Sequence, residues 1–131
     1  MNPLQIDDID LRIVGDGDDT VVMVHGWPDT WRLWDDVVAA LAPTHRCVRF
    51  SLPGFEPGSP RRAYTLDEVV QRIGQVVDAT AGGRPVTLLL HDWGCVFGYQ
   101  YAMREPQRVA RVIGVDIGDA GSPAHRASLT W

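Results

Sequence analysis

With 131 residues, 45% of them hydrophobic and 22% charged, the chain is one globular domain at most and too apolar for a disordered segment. A net charge of −5 and an isoelectric point near 5.2 exclude the electrostatic footprint of a nucleic-acid binder or of a protein held on an anionic membrane. No stretch approaches the roughly 20 apolar residues of a membrane span.

The N-terminus lacks the basic-then-apolar shape of a signal peptide, and Cys47 and Cys95 are too few for a disulfide scaffold, so a reduced, cytoplasmic setting is expected. Leu4, Ile6, Ile9, Leu11 and Ile13 alternate loosely, which predicts an edge strand or a hairpin. The acidic Gly15–Asp19 stretch reads as a solvated hairpin tip, since its glycines and carboxylates miss the spacing of a calcium loop. Val21–Val24 is a fully apolar strand that ends at His25-Gly26-Trp27-Pro28. Thr30 can cap a following helix, whose apolar face carries Trp31, Trp34, Val37, Val38 and Leu41 before Pro43 stops it. A third strand is expected over Arg46–Phe50, then a Pro- and Gly-rich loop over Ser51–Arg62. Thr65 and Glu68 have the spacing of a capping box, in which each side chain satisfies a free backbone N–H. The helix they open gathers Leu66, Val69, Val70, Ile73, Val76 and Val77 on one face, and Gly82-Gly83 ends it.

Val86–Leu90 places five apolar or β-branched residues in a row, the pattern of a strand buried on both faces of a parallel sheet. It stops at His91-Asp92-Trp93-Gly94. From Val96, Phe97, Tyr99, Gln100 and Met103 follow at helical spacing, until Pro106. Strand, tight turn and helix in that order form a nucleophile elbow, with Asp92 as the raised residue and Gly94 as the small one that lets the helix come close. Val109–Val115 is a last apolar strand, ending at Asp116, and residues 118–131 read as an irregular tail. Strands alternating with amphipathic helices predict an α/β fold, a three-layer sandwich around a mostly parallel sheet. No Gly-x-Gly-x-x-Gly or Walker loop follows any strand, so a nucleotide-binding domain ranks last.

Three strand ends bring polar groups to one rim: His25–Pro28, Ser51–Ser59 and His91–Gly94. Ligands of open parallel sheets bind outside the carboxyl ends of the strands, so a site is expected there. A metal bound by His25, His91 and Asp92 lacks further ligands, and neither metal nor cofactor is expected. Asp92 reads either as a nucleophile or as a structural cap of the helix. Cys95, in the first helical turn, reads as buried filler rather than as a reactive thiol, and Trp31 and Trp34 as core or pocket wall.

On these motifs the chain resembles the α/β-hydrolase superfamily, and within it the epoxide hydrolase and haloalkane dehalogenase branch. His25-Gly26-Trp27-Pro28 is similar to that branch's His-Gly-x-Pro motif, with Trp34 as its downstream aromatic, and His91-Asp92-Trp93-Gly94 is similar to its elbow. Arg104-Glu105-Pro106-Gln107-Arg108-Val109 looks like its helix-to-strand connection. The resemblance implies that Asp92 is the nucleophile and that the backbone N–H groups of Trp27 and Trp93 are oxyanion donors. The Trp93 indole would contact a leaving group or form an apolar wall. His25, Gly26, Pro28, His91 and Gly94 would frame the binding site, His25 bracing the oxyanion loop rather than serving as the base. The implied substrate is small, apolar and electrophilic, an epoxide or an alkyl halide. A carboxylate is a poor reagent toward amides, but it attacks a strained or halogenated carbon to give an alkyl-enzyme ester that water then cleaves.

Departures accompany the likeness. The usual Asp-x-x-Gly-x-Gly-x-Ser loop appears as Ser51–Ser59 without its leading aspartate; Leu90 stands where glycine is frequent, and Cys95 where glycine or serine is common. The family continues through a cap domain, a further acid and a base histidine. The resemblance therefore implies that residues 1–117 are the N-terminal part of an incomplete α/β-hydrolase core, with 118–131 leading toward an absent cap. The apolar edge of strand 109–115 would then be open to self-association or to a complementing C-terminal half. The alternative reading is a catalytically inactive fragment that binds a ligand or a hydrolase subunit.

Overall fold

The computed structural model describes residues 2–6, 8–59 and 62–117, so the expected tail over 118–131, with His125, lies outside the described residues. Among them one six-stranded sheet runs in the order β1 (Asn2–Ile6), β2 (Ile9–Val14), β4 (Arg46–Arg49), β3 (Thr20–Val24), β5 (Val86–His91) and β6 (Val109–Val115). β1, β2 and β4 pair antiparallel, whereas β4, β3, β5 and β6 pair parallel.

Successive strand side chains point to opposite faces, and the two faces build separate cores. On one face Val22, Val24, Val86, Leu88 and Leu90 pack with Val69, Val70, Ile73, Val76 and Val77 of α2 (Leu66–Thr80) and with Cys95 and Tyr101 of α3 (Trp93–Arg104). On the other, Val21, Met23 and Cys47 meet Trp34, at the end of a 3-10 turn (Trp31–Trp34), and Val38 of the short α1 (Asp35–Leu41). This is the three-layer α/β sandwich with a mostly parallel sheet that the strand–helix alternation predicts.

Four local expectations need correction. Gly15–Asp19 is not a hairpin tip: β2 pairs with β4, and the segment carries the chain past β4 to β3, while the hairpin is β1–β2. The expected helix after Thr30 is a 3-10 turn followed by seven α-helical residues, and only Trp34 and Val38 of its apolar set are fully buried. α3 starts at Trp93 and buries Gly94, Cys95, Gly98 and Tyr101, leaving Met103 53% exposed. Three small residues and Tyr101, rather than the predicted apolar set, define that face because the helix lies close against the sheet. Finally, β5 is buried on both faces only in part: Val86, Leu88 and Leu90 are inaccessible, but Thr87 and Leu89 are half-buried. α1 is too short to cover them, and β6 beyond is open, with Val112, Ile113 and Val115 all exposed.

No helix among the described residues is long and apolar enough to cross a membrane. The α2 start follows half of the expected capping box: Thr65, extended at φ −79° and ψ 159°, accepts the Glu68 N–H at 3.1 Å, whereas the Glu68 carboxylate meets side chains instead of the Thr65 N–H. The Glu68 carboxylate lies 3.5 Å from the Thr65 hydroxyl and also pairs with Arg62. Thr65→Ala is expected to lower stability by about 1 kcal/mol, read as a shift of the denaturant midpoint with an unchanged slope.

Candidate active site

The parallel pairing of β3 with β5 sets Val24 opposite Leu90, so the residues beyond the two strand ends meet. Gly26 lies directly against Asp92: a Cβ there would collide with Asp92 Cβ and stand 2.7 Å from Oδ2. Only glycine allows this approach. The next residue donates its backbone N–H, from Trp27 to Asp92 Oδ2, at 3.1 Å. The Trp27–Pro28 peptide is cis. On the far side of the elbow Gly94 is equally constrained, since a Cβ would press on the Val24 and His25 carbonyl oxygens.

Asp92 holds φ 55° and ψ −125°, a region that costs a non-glycine residue roughly 1–3 kcal/mol. Its N–H donates to Val115 O at 3.3 Å and its carbonyl accepts from Cys95 N at 2.9 Å, so the backbone is tied to β6 and α3 at once. With Oδ2 engaged by Trp27, Oδ1 is the carboxylate oxygen that accepts no hydrogen bond among the described residues.

His25 is fully buried, and both ring nitrogens have partners. Nδ1 donates to Gly26 O at 2.8 Å, and Nε2 accepts the Leu52 N–H at 2.8 Å, which assigns the neutral tautomer. Burial pushes its pKa below the usual 6.5, against the smaller opposing effects of the Gly26 carbonyl and the Asp29 and Glu56 carboxylates. Phe55 sits edge-on to the ring at 5.2 Å. His25 thus ties the loop after β4 to the turn after β3. That loop is anchored again where Ser51 Oγ accepts from Trp31 N at 3.2 Å and donates to Glu56 at 2.8 Å. Trp31 is half-buried, with the Arg12, Arg32 and Arg49 guanidinium groups 4.2 to 4.7 Å from its ring centre.

Trp27 is 68% and Trp93 38% exposed, so the rim is open around Asp92. Trp93 stacks on Phe97 with centroids 5.9 Å apart. His91 turns elsewhere: its Nε2 bonds Asp116 Oδ2 at 2.7 Å and its ring meets Trp34 edge-on at 6.4 Å. The described residues include no cluster of three or more His, Cys, Asp or Glu side chains able to hold a metal ion.

Residues 19–130 match the family described as alpha/beta hydrolase fold. The chain belongs to that family. Among curated proteins it is 37% identical over 115 residues to "Probable oxidoreductase EphD" of Mycobacterium tuberculosis, covering 86% of this chain and 19% of that protein. It is 32% identical over 105 residues to "Epoxide hydrolase B" of the same organism, covering 77% of this chain and 29% of that protein. An epoxide hydrolase mutant from Vigna radiata superposes with a TM-score of 0.77 at 25% identity, over 97% of this chain and 43% of that one. A mutant epoxide hydrolase from Solanum tuberosum reaches 0.83 at 21% identity, over 90% and 40%. The chain therefore spans less than half the length of each of these relatives.

Within this hydrolase fold the structure brings together Asp92, Gly26, the Trp27 N–H and Gly94, and sets His25 beneath them as a brace. His91 is directed to Asp116 and Trp34. Asp116 received no role from the sequence, although a polar residue closing an apolar strand at the same rim was its available signal. The buried His25 gives a pH signature. Its unfolded form takes up a proton near 6.5 and its folded form does so only at lower pH, so the unfolded state binds more protons between the two values. Stability is fully present above 6.5 and falls as the pH drops below it. His25→Gln should lose about 1–3 kcal/mol at neutral pH and show a shallower decline on acidification, measured by denaturant unfolding from about pH 7.5 to 5.5.

Proposed function

We propose that the chain carries the nucleophile and oxyanion half of a hydrolase site that opens an epoxide or displaces a halide from an apolar substrate. The observation that carries this reading is Asp92, raised on a strained elbow with Oδ2 on the Trp27 N–H. Oδ1 attacks the carbon; the C–O or C–halogen bond breaks, and the electron pair leaves on oxygen or halide. The product is an ester of Asp92. Water adding to its Cγ places negative charge on Oδ2, where the Trp27 N–H stands, and the Trp93 N–H is assigned as the second donor. Removing one such donor costs comparable sites about 3–4 kcal/mol. Trp93 stacked on Phe97 supplies an apolar wall for the substrate. The identity to Epoxide hydrolase B supports this chemistry.

A base for the second step is not found among the described histidines. His25 has both nitrogens engaged, His91 Nδ1 is buried, and His45 bonds Thr44 at 2.8 Å beside the start of β4, at the opposite rim. The ester is therefore expected to accumulate. Incubation with styrene oxide or an alkyl halide should add one equivalent of mass, mapped to Asp92 and lost in Asp92→Asn. Absence of any adduct would favour the inactive, ligand- or subunit-binding fragment; sustained turnover would place a base that the described residues lack. A cytoplasmic setting suits the two buried, unpaired thiols.

The same reading assigns β6 a partner. Its Val-Ala-Arg-Val-Ile-Gly-Val sequence is apolar enough for a sheet interior, yet it is exposed almost throughout. A further strand, from a complementing C-terminal half or from a second copy, would cover it. The isolated chain should elute larger than a monomer, in a concentration-dependent way, and melt broadly. A compact monomer with a sharp transition overturns this assignment.

A further inference from the structure

We propose that Asp116, acting through His91, is a positioning residue for Asp92; this rests on the reading of Asp92 as the nucleophile. Among the described residues Asp92 and Asp116 are the two non-glycine residues with positive φ, at 55° and 81°. They follow directly on His91 and Val115, which are paired across the ends of β5 and β6. Such backbone persists only where its surroundings hold it. Here the bonds are visible. His91 Nε2 donates to Asp116 Oδ2 at 2.7 Å, Asp92 N to Val115 O at 3.3 Å, Cys95 Sγ to Val115 O at 3.4 Å, and Tyr99 Oη to Ile117 O at 2.9 Å. All of them fasten the elbow, or the strand and helix that form it, to the last residue of β6 and the two that follow it.

His91 is the residue before Asp92, so whatever holds its ring also holds the peptide that enters the elbow. The ring is gripped on two sides, by Asp116 and by the edge-on Trp34 at 6.4 Å and 87°. Its Nδ1 is buried without a hydrogen-bond partner, as is the indole Nε1 of Trp34. That burial keeps Nδ1 away from the water a general base must reach, so His91 acts on Asp92 through the backbone and not as a base. Losing the Asp116 carboxylate frees the ring, lets Asp92 relax from its strained φ, and draws Oδ2 off the Trp27 N–H.

Two substitutions in the full chain separate the tether from the backbone conformation. Asp116→Asn keeps an acceptor oxygen and tolerates positive φ, whereas Asp116→Gly is at ease at that φ but offers no acceptor. Amide hydrogen exchange at Asp92 should accelerate about tenfold in the Gly variant and stay near wild type in the Asn variant, with α2 unchanged in both. Labelling of Asp92 by styrene oxide should slow about tenfold at saturation in the Gly variant, with the half-saturating concentration unchanged. Wild-type exchange at Asp92 in the Gly variant overturns the proposal, as does an Asn variant that exchanges as fast as the Gly variant. If the wild-type chain is never labelled, the nucleophile reading fails, while the exchange comparison still decides whether Asp116 holds the elbow.

Discussion

The parallel register of β3 against β5 is the constraint on which the site depends. Because Val24 faces Leu90, the turn leaving β3 and the elbow leaving β5 must share one small volume above the sheet. Gly26 and Gly94 make that sharing possible, one against the Asp92 side chain and the other against the carbonyl oxygens at the end of β3. A side chain at either position would force the two turns apart and remove the Trp27 N–H from Asp92 Oδ2. The strain at Asp92 follows from the same crowding, since a chain that must lift a carboxylate over its neighbour has few ordinary conformations left.

That strained residue is stabilised from three directions, each by a different kind of interaction. Below, the buried His25 links the β3 turn to the loop after β4 through two hydrogen bonds. Beside it, the end of β6 accepts from the Asp92 amide and the Cys95 thiol. Behind it, α3 lies close to the sheet on a face of Gly94, Cys95 and Gly98. Buried histidine is usually read first as a catalytic base. Here the ring has no free nitrogen, and its neutral tautomer is the one that lets it donate to one loop and accept from the other.

The two faces of the sheet are unequal, and this shapes what the chain can do. α2 and α3 cover one face with an extensive apolar core, whereas seven residues of α1 and the 3-10 turn cover β3 and β4 and reach only Leu89 of β5 on the other. Leu89 is left half-buried and β6 is left open. The site sits at the junction of the well-covered and poorly covered parts, with exposed Trp27 and Trp93 beside Asp92. Asp92 and the exposed strand β6 thus lie side by side, since β6 pairs with β5 up to His91.

Much of this was legible in the residues themselves. Hydrophobic period and capping residues located β3, α2, β5 and β6 nearly to their ends, because those signals arise within one turn or one strand. The order of strand, Asp-Trp-Gly and helix marked Asp92, and the His-Gly-Trp-Pro stretch marked the N–H that meets it. Other features depended on which elements became neighbours. Nothing local distinguishes β2 pairing with β4 from β2 pairing with β3, so Gly15–Asp19 looked like a hairpin tip. Helical spacing favoured the large apolar side chains of α3, but the sheet comes so close that Gly94, Cys95 and Gly98, with Tyr101, are the residues it buries. The direction of His91 toward Asp116, and the positive φ that both aspartates share, exist only because β5 and β6 end side by side. Periodicity and turn chemistry determined the elements and the identity of the raised residue. The tertiary structure decided its partners, because hydrogen bonds and close approaches between distant segments have no period along the chain.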